Sequence, residues 1–128
     1  MASRLFGNFE YNVVGPVAAS AFKESLLEFY SKNAERPSIR WVDDVPQNRN
    51  GMIDTVTGEI LLNNHIRNRF PQLAEGVEVE ELVHFKQLSK SELLGQYITA
   101  LQERAMEDEI EGLMTQNGFK VFDPLTDR

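Results

Sequence analysis

Cysteine is absent from the 128-residue chain, which excludes disulfide bonds, cysteine-ligated zinc and thiol nucleophiles. Long apolar runs are absent as well, so no segment is predicted to span a membrane. The N-terminal residues "MASRLFGNFEY" lack an apolar core of signal-peptide length. The sequence therefore predicts a soluble protein without a secretory signal, and it leaves the redox compartment open.

Basic residues are also few, since 13 lysines and arginines face 20 aspartates and glutamates and give a formal net charge of −7. Nucleic-acid binding needs a basic surface that displaces counterions, and a basic cluster is visible only around "HIRNR" at 65–69. No glycine-rich phosphate loop is present. An acidic surface instead suits a cationic partner, a metal site or simple solubility.

The remaining composition is that of one ordinary globular domain, with 41% hydrophobic and 26% charged residues. A strand is predicted over 9–15 and a helix over 16–32, where apolar side chains recur at helical spacing. A short strand is predicted between the prolines of 37–46, followed by a hairpin over 47–64 with turns at Asn50-Gly51 and Thr57-Gly58.

Two further helices complete the predicted domain. The first covers about 73–88. The second opens at a capping box, Ser89 followed three residues later by Glu92, and extends to about 115, where Asn117-Gly118 closes it. This order predicts an α+β fold in which an N-terminal helix and two packed C-terminal helices lie on a short antiparallel sheet.

The segment "VEVEELVHFKQ" at 77–87 places charge on an apolar helix face. Glu80 and His84 are four residues apart and share a face with Leu73, Val77 and Leu88, where an unpaired charge is costly. A divalent metal would compensate both side chains, and Glu81 could then hold a proton for a metal-activated water. A buried Glu–His pair, or a Glu80 side chain that reaches solvent, is the alternative.

The segment "GMIDTVTGEILLNNHIRNRFPQLAEGVEVEELVHFKQ" at 51–87 resembles the core of the zincin-like metallopeptidases, whose active-site helix carries H-E-x-x-H below an edge strand. Glu81 matches the family's general base and His84 its second metal ligand, whereas Glu80 replaces the first histidine. The EELxHxxQ form, with Gln87, is similar to metallopeptidase-like domains of bacterial polymorphic toxins. The resemblance implies a single zincin-like domain over 1–128.

A glutamate on the following helix supplies the third ligand in gluzincin-like proteins, and the resemblance implies Glu107 or Glu103 here. Glu107 is slightly favoured. A solvated acidic face is the alternative for both, because most glutamates are exposed. Apolar residues next to this stripe, Met106 and Ile110 among them, indicate that it is partly covered.

The function implied is that of a metal-dependent peptidase-type hydrolase, either a toxin or effector module or a degenerate member. Zinc is the first choice of metal, with manganese or iron as alternatives. The implied partners are a protein or peptide substrate and an inhibitor or immunity protein, and the implied location is the cytoplasm or delivery by a secretion system.

Two other classes compete with this interpretation. Glu81 and His84 have the i, i+3 spacing of di-metal carboxylate bundles, but a second such pair is missing and the hairpin does not suit a bundle. A non-catalytic acidic protein of the immunity or inhibitor kind fits the −7 charge and the small size.

Overall fold

A computed structural model describes residues 3–6, 10–123 and 125 of the chain. The helices are α1 Pro16–Lys32, α2 Asn64–Arg69, α3 Pro71–Lys90 and α4 Ala100–Gln116. The strands are β1 Arg4–Phe6, β2 Tyr11–Val13, β3 Ile39–Val42, β4 Gly51–Asp54, β5 Ile60–Asn63 and β6 Phe119–Val121. Within the described residues, no helix is long and apolar enough to cross a membrane.

The predicted α+β class is confirmed, but the sheet is mixed rather than antiparallel. Its strand order is β1-β4-β5-β3, with β4 and β5 forming the predicted antiparallel hairpin. β3 pairs with β5 in parallel, from Ile39 opposite Ile60 to Val42 opposite Asn63. A separate two-stranded sheet pairs β2 with β6. It brings the segment before α1 into contact with the segment after α4.

Helix α3 is the centre of the domain, and it is buried on several sides as its sequence predicts. It packs against α1, α4, the hairpin and β2. The β2 backbone crosses it at Gly76, where an added Cβ would lie 2.2 Å from the Tyr11 carbonyl oxygen. On the hairpin side, a Cβ at Gly51 would lie 2.6 Å from the Val77 side chain. Glycine at both positions allows strands to approach the helix closely.

The two predicted helix ends and the strand between the prolines occur as expected, whereas the turn signal at Asn50-Gly51 lies at the start of a strand. The N-terminal helix spans 16–32, and the C-terminal helix ends before Gly118, whose φ of 88° is left-handed. The strand at 37–46 is present as β3. Asn50-Gly51, predicted as a turn ahead of the first hairpin strand, lies at the start of that strand, because Gly51 is already the first residue of β4. The glycine is needed there for packing against α3.

The predicted capping box at Ser89 and Glu92 is wrong. α3 continues to Lys90, the Ser89 hydroxyl donates to a Glu35 carboxylate oxygen at 2.7 Å, and Glu92 has a left-handed φ of 61° that no helix continues. A loop covers 91–99. The actual capping box is formed by Thr99 and Gln102, whose side chains accept from each other's backbone N–H at 3.1 and 2.8 Å.

The loop also changes the surroundings of two apolar residues assigned to the second helix. Tyr97 was expected in an apolar stripe, but it lies in the loop and is 62% exposed. Leu101 of the same stripe is exposed as well. Ile98 is fully buried, and the loop is tied to the hairpin because Gly95 N–H donates to the Thr55 carbonyl at 2.7 Å. The apolar face of α4 therefore begins later, at Met106.

Two helical glycines give a matched test of this packing. Gly76→Ala should lower the free energy of unfolding by about 2 kcal/mol or more, because the methyl group collides with the Tyr11 carbonyl. Gly112→Ala in α4 meets nothing within 4 Å and should raise it by about 0.5–1 kcal/mol through better helix propensity. Urea denaturation measures both, and equal effects would contradict the close approach of β2.

Candidate metal centre

Three side chains of the described chain form a group that could hold a metal ion: Glu80, His84 and Glu107. One ligand atom from each lies within 4.8 Å of the others. Their exposed fractions are 3%, 0% and 5%. Two carboxylates and one imidazole are donors that zinc accepts, and they also suit manganese or iron.

The positions of these side chains follow from the helices that carry them. Glu80 and His84 lie one turn apart on α3 and therefore point in the same direction. Glu107 comes from the second turn of α4, whose start is fixed by the capping box at Thr99. Its Oε1 atom lies 3.0 Å from His84 Nε2, so this contact joins the two helices at their buried faces.

Glu103, the other candidate for the third position, is not part of this group. It lies in the first turn of α4, one turn before Glu107, and is partly exposed. One helical turn is a displacement of about 5.4 Å along the axis, which takes its carboxylate away from His84. His65, the other histidine, is exposed on α2 and is also outside the group.

His84 is held on its other side by Gln87. The Gln87 Nε2 amino group donates to the Met106 carbonyl at 3.0 Å and to a Glu109 carboxylate at 2.9 Å. The Gln87 oxygen consequently faces His84 Nδ1 at 3.0 Å and accepts a hydrogen bond from it. With the proton on Nδ1, the neutral imidazole turns the lone pair of Nε2 towards Glu107.

This tautomer has an electrostatic consequence. Two acceptor atoms, His84 Nε2 and Glu107 Oε1, face each other at 3.0 Å. A positive charge must lie between them, and either a proton or a metal ion supplies it. The second oxygens of Glu80, Glu81 and Glu107 are buried without a hydrogen-bond partner in the described chain. Because buried carboxylates are costly without compensation, these atoms fit a divalent cation.

The charges in the group shift the pKa values of its members. Burial, followed by the charges of Glu81 and Glu107, raises the pKa of Glu80 well above its usual value, and the charge of Arg49 opposes this. Burial raises the pKa of Glu81 to about 8, with His84 opposing and Glu107 adding to the shift.

The pKa of His84 is also raised, although burial by itself lowers it. The hydrogen bond to Glu107, the charges of Glu81 and Glu107, and the hydrogen bond to Gln87 together exceed the effect of burial. All three shifts have the same meaning: without a metal, the site holds more protons than the unfolded chain does at neutral pH.

The sequence predicts neither Tyr11 nor Glu109 as part of the site. Tyr11 is 1% exposed, and its pKa is raised by burial and by the charges of Glu80, Glu111 and Glu107. Nothing local in "FEYNV" marks this tyrosine, because it reaches the site only through the packing of β2. Glu109, which holds Gln87, lies two residues after Glu107 in a run of glutamates without a distinguishing local signal.

In comparisons with known proteins, no protein-family model, curated protein or solved structure matches this chain.

The stability of the metal-free protein should fall as pH rises from about 5 to about 8. In this range the folded state binds more protons than the unfolded chain, because the pKa of Glu80 and Glu81 is raised above the usual 4.5 and reaches about 8 for Glu81. Urea denaturation at several pH values with a chelator present measures the trend.

Glu80→Gln should weaken this dependence, since glutamine stays neutral, whereas Glu103→Gln at the partly exposed position should preserve it. Saturating zinc should reverse its sign, because metal binding requires deprotonated ligands. A metal-free protein that becomes more stable over the same range would contradict the buried carboxylate cluster.

Replacing Gln87 by methionine tests the tautomer. The substitution removes the acceptor for His84 Nδ1–H while keeping a side chain of similar length. Loss of such an orienting contact typically weakens metal binding by about 10–100-fold, which competition with a chromophoric zinc chelator measures. Gln116→Met, at the exposed end of α4, is the control and should bind zinc as the unaltered protein does. Equal affinities in the two variants would remove Gln87 from the site.

Proposed function

We propose that the protein is a metal-dependent hydrolase of the peptidase type. Glu80, His84 and Glu107 hold the metal, and Glu81 is the general base. The observation that supports this proposal is a third buried carboxylate, Glu81, which interacts electrostatically with His84 and Glu107 of the three residues able to bind a metal. Burying several charged groups away from water lowers the stability of a fold. Carboxylates whose pKa is strongly shifted are concentrated at functional sites.

The role of Glu81 follows from its surroundings. Its side chain is 1% exposed and faces the hairpin, because its Cγ lies 3.5 Å from the point where a Cβ of Gly51 in β4 would be. One of its oxygens has no partner in the described chain, so it is available to take a proton from water and deliver it to a leaving group. In the metal-free protein burial raises the pKa of Glu81 to about 8, and the charge of a bound cation would lower it towards the range in which the carboxylate accepts a proton at neutral pH. A bound zinc ion would supply Lewis-acid polarisation of the substrate carbonyl and of the attacking water.

The metal should be zinc, with manganese and iron as the alternatives. One imidazole and two carboxylates form a harder donor set than the paired histidines of H-E-x-x-H, and this reduces the preference for zinc. The substrate class is a protein or peptide, as the resemblance implies, and an inhibitor or immunity protein is the expected partner. The toxin or effector role stays a prediction.

Burial supports a second candidate, a non-catalytic protein stabilised by a structural metal. Structural metal sites are closed, whereas catalytic sites keep an open position. The side chains of the site are at most 5% exposed. A groove of about 640 Å³ between α1, α3 and α4 is lined by Gln87 and Met106, but none of the four site residues lines it. A peptide would need a covering segment to move before it could contact Glu81.

Metal content and turnover of paired variants distinguish these functions. The purified protein should bind close to one equivalent of zinc, measured by mass spectrometry. Glu107→Gln should lose the metal, whereas Glu103→Gln, on the same helix but outside the group, should keep it. Protein that stays metal-free after incubation with zinc, manganese or iron would contradict both candidates.

Glu81→Gln separates catalysis from structure. It should keep the metal and lower hydrolysis of an unfolded protein substrate by about 10²–10⁴-fold, since the general base is lost. If the unaltered, metal-loaded protein hydrolyses nothing and metal removal only lowers its thermal midpoint, the structural candidate is favoured.

A further inference from the structure

The hydroxyl of Tyr11 is a buried donor whose proton has no acceptor in the described chain. The residue is 1% exposed, and the hydroxyl oxygen is enclosed without a hydrogen-bond partner. Buried tyrosines usually find a partner, as Tyr30 does by donating to the Leu82 carbonyl on the same central helix. The two buried tyrosines therefore differ, and Tyr11 lacks a structural acceptor.

The backbone fixes Tyr11 against the helix that carries the metal ligands. If Gly76 carried a Cβ, that atom would lie 2.2 Å from the carbonyl oxygen of Tyr11 and 3.1 Å from the Cβ of Tyr11. Gly76 precedes Glu80 by one turn, a rise of about 6 Å, and a phenol extends by about the same length from its own Cβ. Pairing of Tyr11 with Val121 in β6 holds the strand from the other side.

Three glutamates act electrostatically on the phenol, yet within the described residues none accepts its proton. The charges of Glu80, Glu111 and Glu107 each raise the pKa of Tyr11, in addition to the larger effect of burial. Glu80 and Glu107 also carry unpaired oxygens. The hydroxyl is thus near the ligand carboxylates without bonding to them, and it is a neutral donor in a region otherwise rich in acceptors.

We propose that the Tyr11 hydroxyl donates a hydrogen bond to an anionic or carbonyl oxygen that binds beside Glu80, His84 and Glu107. This inference rests on the proposed function, because the carboxylates would repel such an oxygen unless a metal ion neutralised them. It assigns Tyr11 as a catalytic residue that contacts the acyl oxygen of the substrate and stabilises the charge that develops on it.

Binding of azide to the cobalt-loaded protein tests this assignment without a substrate. Cobalt(II) is added to unaltered protein, and azide is titrated while the visible absorption of cobalt is recorded. Tyr11→Phe should bind cobalt with unchanged affinity and bind azide about tenfold or more weakly, since a hydrogen bond to a charged group is lost.

Tyr30→Phe is the matched control, since it removes the other buried phenol hydroxyl next to α3. It should lower the thermal midpoint by breaking the bond to the Leu82 carbonyl, with azide affinity unchanged. Tyr11→Phe should leave the midpoint of the metal-free protein unchanged or higher, because no bond is lost. A purely structural Tyr11 would show the opposite pattern.

The outcomes separate this inference from the proposed function. If the unaltered protein binds no cobalt, the proposed function and the inference are both overturned. If it binds cobalt and azide, and Tyr11→Phe has the same azide affinity, only the role of Tyr11 is overturned. If Tyr11→Phe binds cobalt much more weakly, Tyr11 is a direct metal ligand instead of a hydrogen-bond donor, and the inference is again wrong.

Discussion

The burial of like charges around His84 is the constraint on which this structure depends. Glu80, Glu81 and Glu107 place three carboxylates in the interior, and the described chain offers them few donors. Such a group is tolerated only if protons or a cation neutralise it. The raised pKa values of Glu80 and Glu81 indicate that protons neutralise the group in the metal-free protein. The close approach of one ligand atom from each of Glu80, His84 and Glu107 would also suit a cation. Binding of a metal ion would replace the protons, and folding stability would then depend on both pH and metal concentration.

The rest of the fold serves to place these groups. α3 is enclosed by the hairpin, α1, α4 and β2, and glycines at 51 and 76 allow two strands to lie directly against it. α4 supplies Glu107, and it also supplies the Met106 carbonyl and the Glu109 carboxylate that orient Gln87. A single pair of helices therefore provides the three candidate ligands and also the contacts of Gln87 that orient His84. Such outer contacts are a regular part of metal sites.

Local patterns predicted much of this arrangement and failed where two signals competed. The periodicity of 73–88 correctly placed Glu80 and His84 on a buried face, because a strongly apolar helix can only be central. The Ser89–Glu92 signature failed because α3 had enough apolar contact to continue to Lys90, and Ser89 found a tertiary partner in Glu35. The better cap at Thr99 begins α4 seven residues after Glu92, and the intervening loop exposes Tyr97.

The sequence by itself determined most of the helices and the hairpin, and it determined which side chains of the central helix share a direction. Helical spacing fixes that Glu80 and His84 point together, since a turn of 3.6 residues leaves no other choice. Tertiary structure decided which glutamate of α4 faces them. Glu103 and Glu107 are equivalent by spacing, and only the docking of α4 on α3 brings Glu107 within 3.0 Å of His84. The parallel pairing of β3 and the insertion of Tyr11 beside the site are likewise non-local. They depend on contacts between segments distant in the chain, which local propensity does not encode.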